Sequence, residues 1–358
     1  MAAHNDGIGT HDEHLTSDDS MKLYMHKEDS RMKRILGRMK LEAFEPTWWA
    51  KSAYPQMALF GFWQATHLLR NSFERTILVC EDGGEVAVDR FLEPRGSELP
   101  EDAPLAIFLH TITGGRYDTA EFMRYALQRG WRPFLLVRRG HLGTFLKTPK
   151  FNVMGCKDDT QLMMDHIVAQ WPKARFVGAI GISAGSNHII SYISRPGGGH
   201  PVQAAVLLME QLLMVSAKLF FLAPNRFLLR DVEGYEKTLW SSTACDFLTA
   251  SYKLAGYASK EEYLATQDPI ASSHENQVPC LILNAADDPL CRSENIRIDV
   301  TSRSHNFALL VTDGGSHIAY REGAWGGSSY MHRLAIDFLE ASMADLASGA
   351  AGGQEVKT

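Results

Sequence analysis

One pentapeptide limits the folds open to this chain more than any other feature. Gly181-Ile182-Ser183-Ala184-Gly185 follows an apolar run, Phe176 to Ile180, and precedes a second apolar-rich run, His188 to Tyr192. The first run predicts a strand buried on both faces, and the second predicts a helix. A serine between them stands on a tight strand-to-helix turn, the arrangement of a nucleophile elbow. Residues two before and two after such a serine must be small, because strand and helix pass closely. Gly181 and Gly185 meet that need. The hydroxyl then sits at the amino end of a helix, where the dipole and free N–H groups favour developing negative charge. Gly178, Gly181 and Gly185 also resemble a dinucleotide fingerprint. That pattern opens the first βα unit, however, whereas here the glycines lie mid-chain and the acidic Glu210 comes later than the pattern requires.

The flanking chain has the rhythm of a doubly wound sheet. Arg75 to Cys80 and Glu85 to Asp89 alternate around Asp82-Gly83-Gly84, which predicts a hairpin. Buried-strand patterns follow at Pro104 to Leu109, Phe134 to Val137, Ala204 to Met209, Val278 to Leu283 and Phe307 to Val311. Helical patterns lie between them at Tyr117 to Arg129, Asp158 to Gln170 and around Glu294 to Val300, and one closes the chain at Tyr330 to Leu346. This predicts an α/β fold with a mostly parallel sheet and an antiparallel hairpin at its start. The rhythm lapses over about 211–272, a stretch rich in large apolar residues that reads as an inserted helical cap. The expected division is a poorly ordered extension over 1–40, with a helix beginning in the basic run Arg31 to Lys40, a main domain over 41–345 carrying the cap, and a flexible tail over 346–358.

With 358 residues the chain can bury a large core. A net charge of −6 and the lack of a basic stripe argue against a nucleic-acid partner. Five cysteines without metal-ligand spacing suit thiols in a reducing compartment. The amino end resembles neither a signal nor a transit peptide, and the apolar stretch Val206 to Leu222 is broken by polar residues. The expected location is therefore cytoplasmic, with peripheral membrane contact open.

Catalytic groups in such sheets lie beyond the carboxyl ends of the strands. After Val278 to Leu283 come Asn284-Ala285-Ala286-Asp287-Asp288-Pro289, and after Phe307 to Val311 come Thr312-Asp313-Gly314-Gly315-Ser316-His317. Serine, acid and histidine thus occur in the order Ser183, Asp288, His317, which suits a serine activated by an imidazole that a carboxylate orients. Asp287 competes with Asp288; the position before Pro289 favours the latter. Two backbone N–H groups are needed for an oxyanion, and the candidates are Ala184, directly after the serine, and Ile112, in the loop His110 to Gly115.

Several ordered pieces together resemble the type-4 AB-hydrolase family of the α/β-hydrolases. They are Asp82 to Asp89, His110 to Gly115, Arg139-Gly140, the elbow with Asn187, Asp246, Gly256-Tyr257, Glu262-Tyr263, Asn284 to Pro289, and Gly314 to Ile318. The resemblance covers about Pro46 to Leu339. It implies a serine hydrolase of carboxylic esters with medium or long acyl chains, or of acylglycerols, working without metal or organic cofactor. Leu213, Phe220 and Phe221 of the cap would line the acyl pocket. Alternatives are an acyltransferase that uses an alcohol acceptor, and an inactive binding protein on the same fold. The chain departs from the family in two places. Thr111 stands where a glycine usually follows the loop histidine, and Ala184-Gly185-Ser186 replaces a larger residue and a second glycine in the elbow.

Overall fold

The computed structural model describes residues 11–15, 19–68, 72–94, 96–112, 114–151, 155–208, 218–267, 272–289 and 293–352. Its centre is a ten-stranded sheet. The strands are β1 (His11–Leu15), β2 (Met21–His26), β3 (Phe73–Val79), β4 (Glu85–Phe91), β5 (Leu105–Leu109), β6 (Arg132–Val137), β7 (Val177–Ile182), β8 (Ala204–Leu208), β9 (Cys280–Ala285) and β10 (Phe307–Thr312). They run in the order β1-β2-β10-β9-β8-β7-β5-β6-β4-β3. The six strands from β10 to β6 are mutually parallel, and the hairpin β3–β4 joins antiparallel, as its Asp82-Gly83-Gly84 turn predicts.

Central strands are apolar throughout because both faces are covered. Along β5, Ala106 and Phe108 enter one core while Leu105, Ile107 and Leu109 enter the other, as the two-residue period of a strand requires. Helix α3 (Arg116–Gln128) and the C-terminal helix (Tyr330–Gly352) cover the first face through Phe122, Met123, Leu334 and Phe338. Helices α4 (Lys157–Gln170) and α5 (Ala184–Ile193) cover the second through Met163, Ile167, Ile189 and Ile193.

The topology fixes where a site can form. From β5 the chain crosses to β6 on one side, and from β7 it crosses to β8 on the other, although β5 and β7 are hydrogen-bonded neighbours. At such a switch point the connecting segments part and leave a crevice beyond the strand ends. The loop after β5 and the elbow after β7 meet there.

Three sequence expectations need correction. Within the expected poorly ordered extension, Met21–His26 instead form β2, while the helix expected to begin in the basic run Arg31 to Lys40 is present as α1 (Ser30–Gly37). Met21, Leu23 and Met25 alternate into the core, Met32 and Ile35 recur at helical spacing, and Asp29 caps the helix by accepting from the Met32 N–H at 2.9 Å. The helix expected around Glu294 to Val300 is instead a short 3₁₀ turn (Ser293–Asn295) and one helical turn (Val300–Arg303). The C-terminal helix also runs on to Gly352, beyond the expected start of the tail.

Between β8 and β9 the described chain forms a π-helical turn (Lys218–Leu222) and four short helices between Arg226 and Gln267. Phe221, Leu222, Leu229, Tyr235, Phe247 and Leu254 pack with Phe151, Ile112 and Ala184 into a third apolar cluster. This segment therefore sits directly over the crevice.

A buried ion pair anchors the segment that leaves β10. The Arg321 guanidinium grips Glu121 of α3 through contacts of 2.8–2.9 Å. The Arg321 backbone is held as well: its N–H donates at 2.6 Å to Gln56 Oε1 of helix α2 (Ala53–Leu68), and its carbonyl accepts from the Thr47 N–H at 3.0 Å. Removing one partner strands the other charge inside the protein. Glu121→Ala is expected to lower unfolding free energy by about 3–5 kcal/mol in a denaturant titration, and a loss below about 1 kcal/mol would show the pair is not an anchor.

Candidate active site

Ser183 joins β7 to α5 with φ 58° and ψ −122°. A non-glycine residue held there costs of order 1–3 kcal/mol, which the surroundings must offset. The two glycines allow the turn. A Cβ on Gly181 would fall 2.5 Å from the Ser186 Cα, and one on Gly185 would fall 2.2 Å from the Leu109 carbonyl oxygen. Ser186 has a local role of its own. Its hydroxyl lies 2.8 Å from the Gly181 carbonyl and 2.9 Å from that of Leu208, tying the first turn of α5 to β7 and β8, while the Ser183 N–H donates to Leu208 O at 2.7 Å. The Ser183 hydroxyl is fully buried and has no hydrogen-bond partner among the described residues.

His317 follows β10, and its Nδ1 lies 2.9 Å from Asp288 Oδ2, both side chains nearly buried. The two candidate acids have separate partners: Asp288 meets the imidazole, and Asp287 Oδ1 accepts the Ser316 N–H at 2.7 Å. That bond steadies a strained loop in which Ser316 and Ile318, flanking His317, both have positive φ (56° and 53°). The Gly315 carbonyl accepts from the N–H groups of Ala319 and Tyr320, closing the turn around the histidine.

The loop after β5 is the most heavily tied. Asp118, at the start of α3, accepts from the Thr111 and Gly115 N–H groups. The Thr111 carbonyl accepts from Arg138 Nη2 at 2.5 Å, and the Ile112 carbonyl lies 3.0 Å from His141 Nε2. His110 Nδ1 lies 2.7 Å from the Thr111 carbonyl and 3.1 Å from Arg138 Nη2. Arg138 Nη1 contacts His188 Nε2 at 3.2 Å. Burial first, and the Arg138 charge second, push the His110 and His141 imidazoles well below their ordinary pKa. Burial lowers Arg138 to about 9 and raises Asp118. The N–H groups of Ala184 and Ile112 donate to no described residue.

Asp288 and His317 are thus in contact, Ser183 and the Ile112 loop lie at the adjoining strand ends, and Phe221 packs in one cluster with Ile112 and Ala184. Leu213 lies outside the described residues, as does the side chain of Phe220. Arg138, Asp118, His141 and His188 were not singled out from sequence. Only the two arginines standing directly after the buried run Phe134 to Val137 gave a signal. The second of them serves elsewhere, pairing with Asp159 and Asp82 at 2.6 Å.

No protein-family model matches the chain. It is 22% identical over 326 residues to Phospholipase ABHD3 of Bos taurus, covering 84% of this chain and 79% of the relative. It is 24% identical over 320 residues to Monoacylglycerol lipase ABHD2 of Danio rerio, covering 79% and 75%. Among solved structures it is similar to a hyperthermophilic esterase from Pyrobaculum calidifontis, with a TM-score of 0.50, 16% identity, and 89% and 98% of the two chains covered. In its fold and in these relatives the chain is similar to members of the AB hydrolase superfamily.

The two acids are separable by substitution. Asp288→Asn is expected to cut kcat by about 10³–10⁴-fold, since the imidazole loses the carboxylate that sets its tautomer. Asp287→Asn keeps an acceptor for the Ser316 N–H and is expected to cost less than about tenfold. Steady-state kinetics decide, and the reverse ranking would move the acid to Asp287.

Proposed function

We propose that the chain hydrolyses carboxylic esters through an acyl-enzyme on Ser183. The observation that carries this reading is the His317–Asp288 contact at 2.9 Å at the carboxyl edge of the sheet that also ends in the strained elbow serine. His317 Nε2 takes the Ser183 proton as Oγ attacks the ester carbonyl, while Asp288 stabilises the imidazolium that forms. The tetrahedral oxyanion is held by the N–H groups of Ala184 and Ile112. On collapse His317 protonates the leaving alcohol. It then takes a proton from the water that attacks the acyl carbonyl, and returns it to Ser183 Oγ as the Oγ–acyl bond breaks and the acid leaves.

The proposed substrate is an ester or acylglycerol with a medium or long acyl chain. Support comes from the relatives' activities and from the apolar cluster of Phe151, Phe221 and Leu222 around Ile112 and Ala184. In this reading 41–345 is the hydrolase domain and about 211–272 its cap. No helix among the described residues is long and apolar enough to cross a membrane. In this reading the enzyme is cytoplasmic and meets lipid by peripheral contact.

Labelling with a fluorophosphonate, then a p-nitrophenyl ester series, tests the assignment. Ser183→Ala is expected to lose labelling and at least about 10³-fold in kcat, with wild-type turnover peaking at one acyl length. Labelling that survives in Ser183→Ala would overturn the elbow assignment. Ester synthesis outrunning hydrolysis in added ethanol would change the acceptor to an alcohol.

A further inference from the structure

We infer that Arg138 and Asp118 act as a two-sided clamp that aims the Ile112 N–H, making Arg138 a positioning residue for the oxyanion hole. The inference rests on the reading of Ser183 and Ile112 given above. A peptide unit is planar and trans, so its C=O and N–H point in opposite directions. The carbonyl of Thr111 and the N–H of Ile112 belong to one such unit. Arg138 Nη2 holds that carbonyl at 2.5 Å, which sends the Ile112 N–H away from the guanidinium. The preceding unit is fixed as well, because the Thr111 N–H donates to Asp118 Oδ2 at 3.1 Å. Thr111 is therefore held through both of its backbone polar groups, by opposite charges, and its own N–H is taken.

The surroundings are built to this end. A Cβ on Gly114 would fall 2.0 Å from Asp118 Oδ2 and 2.3 Å from Thr111 Oγ1, so the loop wraps the carboxylate too closely for any larger residue. Arg138 is itself held from behind by His188 Nε2 at 3.2 Å. With His110 and His141 kept neutral, Asp118 supplies the negative charge that offsets the buried guanidinium. His141 Nε2, 3.0 Å from the Ile112 carbonyl, steadies the next unit along. A charged donor on a carbonyl also polarises the peptide and strengthens its N–H as a donor.

The clamp explains how Thr111 replaces glycine here. Thr111 is not among the residues with positive φ, so its branched side chain meets no backbone penalty. The orientation that backbone freedom would otherwise have to supply comes from the two charges.

The experiment compares Arg138→Gln, Arg138→Lys and Asp118→Asn with wild type and Ser183→Ala. It measures kcat and KM on a p-nitrophenyl ester, inhibition by an alkylboronic acid, and thermal melting. Full loss of an oxyanion donor costs roughly 10²–10³ in kcat, and a misaimed one is expected to cost about 10–100-fold in Arg138→Gln with KM within about twofold. Inhibition by the boronic acid, whose adduct carries the tetrahedral oxygen, weakens by the same factor. Arg138→Lys recovers part of kcat through a single donor. Asp118→Asn gives a smaller loss of the same kind, and it decides the matter if Arg138→Gln does not fold. If kcat stays within about twofold of wild type, or if KM rises while kcat holds, the clamp is wrong. Equal losses in melting temperature, kcat and KM for folded Arg138→Gln and Arg138→Lys would assign a merely structural role. Turnover retained in Ser183→Ala would instead sink the serine mechanism itself.

Discussion

The close approach of Gly185 to the Leu109 carbonyl is the contact on which the rest of the site depends. A single added carbon would fall 2.2 Å from that oxygen, so helix α5 and the end of β5 touch backbone to backbone. This contact exists because β5 and β7 are sheet neighbours whose crossovers leave in opposite directions. It sets the loop carrying Ile112 beside the serine that opens α5. Two stretches some seventy residues apart in sequence thereby become one crevice. No side-chain adjustment could restore the geometry if the two backbones moved apart.

Around that contact the fold concentrates strain and offsets it with buried polar bonds. Ser183, Ser316 and Ile318 all hold left-handed φ values that cost energy. Each lies in a segment tied by specific partners: Leu208 O for the elbow, Asp287 for the histidine turn, and the Arg321–Glu121 pair just beyond it. The charges behind the Ile112 loop follow the same pattern. Arg138 is buried where a cation is costly, and it is kept by Asp118 and by the carbonyl it grips. These polar groups gather beyond the strand ends, while the central strands β5, β7 and β8 are apolar on both faces.

How much of this was legible in sequence follows from the range of the interactions. Strands such as Leu105–Leu109 and Val177–Ile182 declare themselves by unbroken apolar runs, and the elbow by two glycines whose role is local. Ser183, Asp288 and His317 stand out as candidates in sequence because each lies a few residues past such a strand. The alternating Met21-Lys-Leu-Tyr-Met25 pattern was equally readable, but it was obscured by the polar stretch before it. The partners of Arg138 could not be read. Thr111, Asp118 and His188 lie on three different elements, and nothing in the order of the residues says which of two adjacent arginines turns inward. Arg139, the one singled out from sequence, turns to Asp159 and Asp82 instead.

The central claim is that the elbow serine, the His317–Asp288 pair and two backbone donors form one catalytic centre. A crystal structure of the protein reacted with an alkyl phosphonate tests it most directly. The account predicts phosphorus bonded to Ser183 Oγ, with its oxygen about 2.7–3.1 Å from the N–H nitrogens of both Ala184 and Ile112. Phosphorus on another residue, or an oxygen turned away from the Ile112 loop, would contradict it.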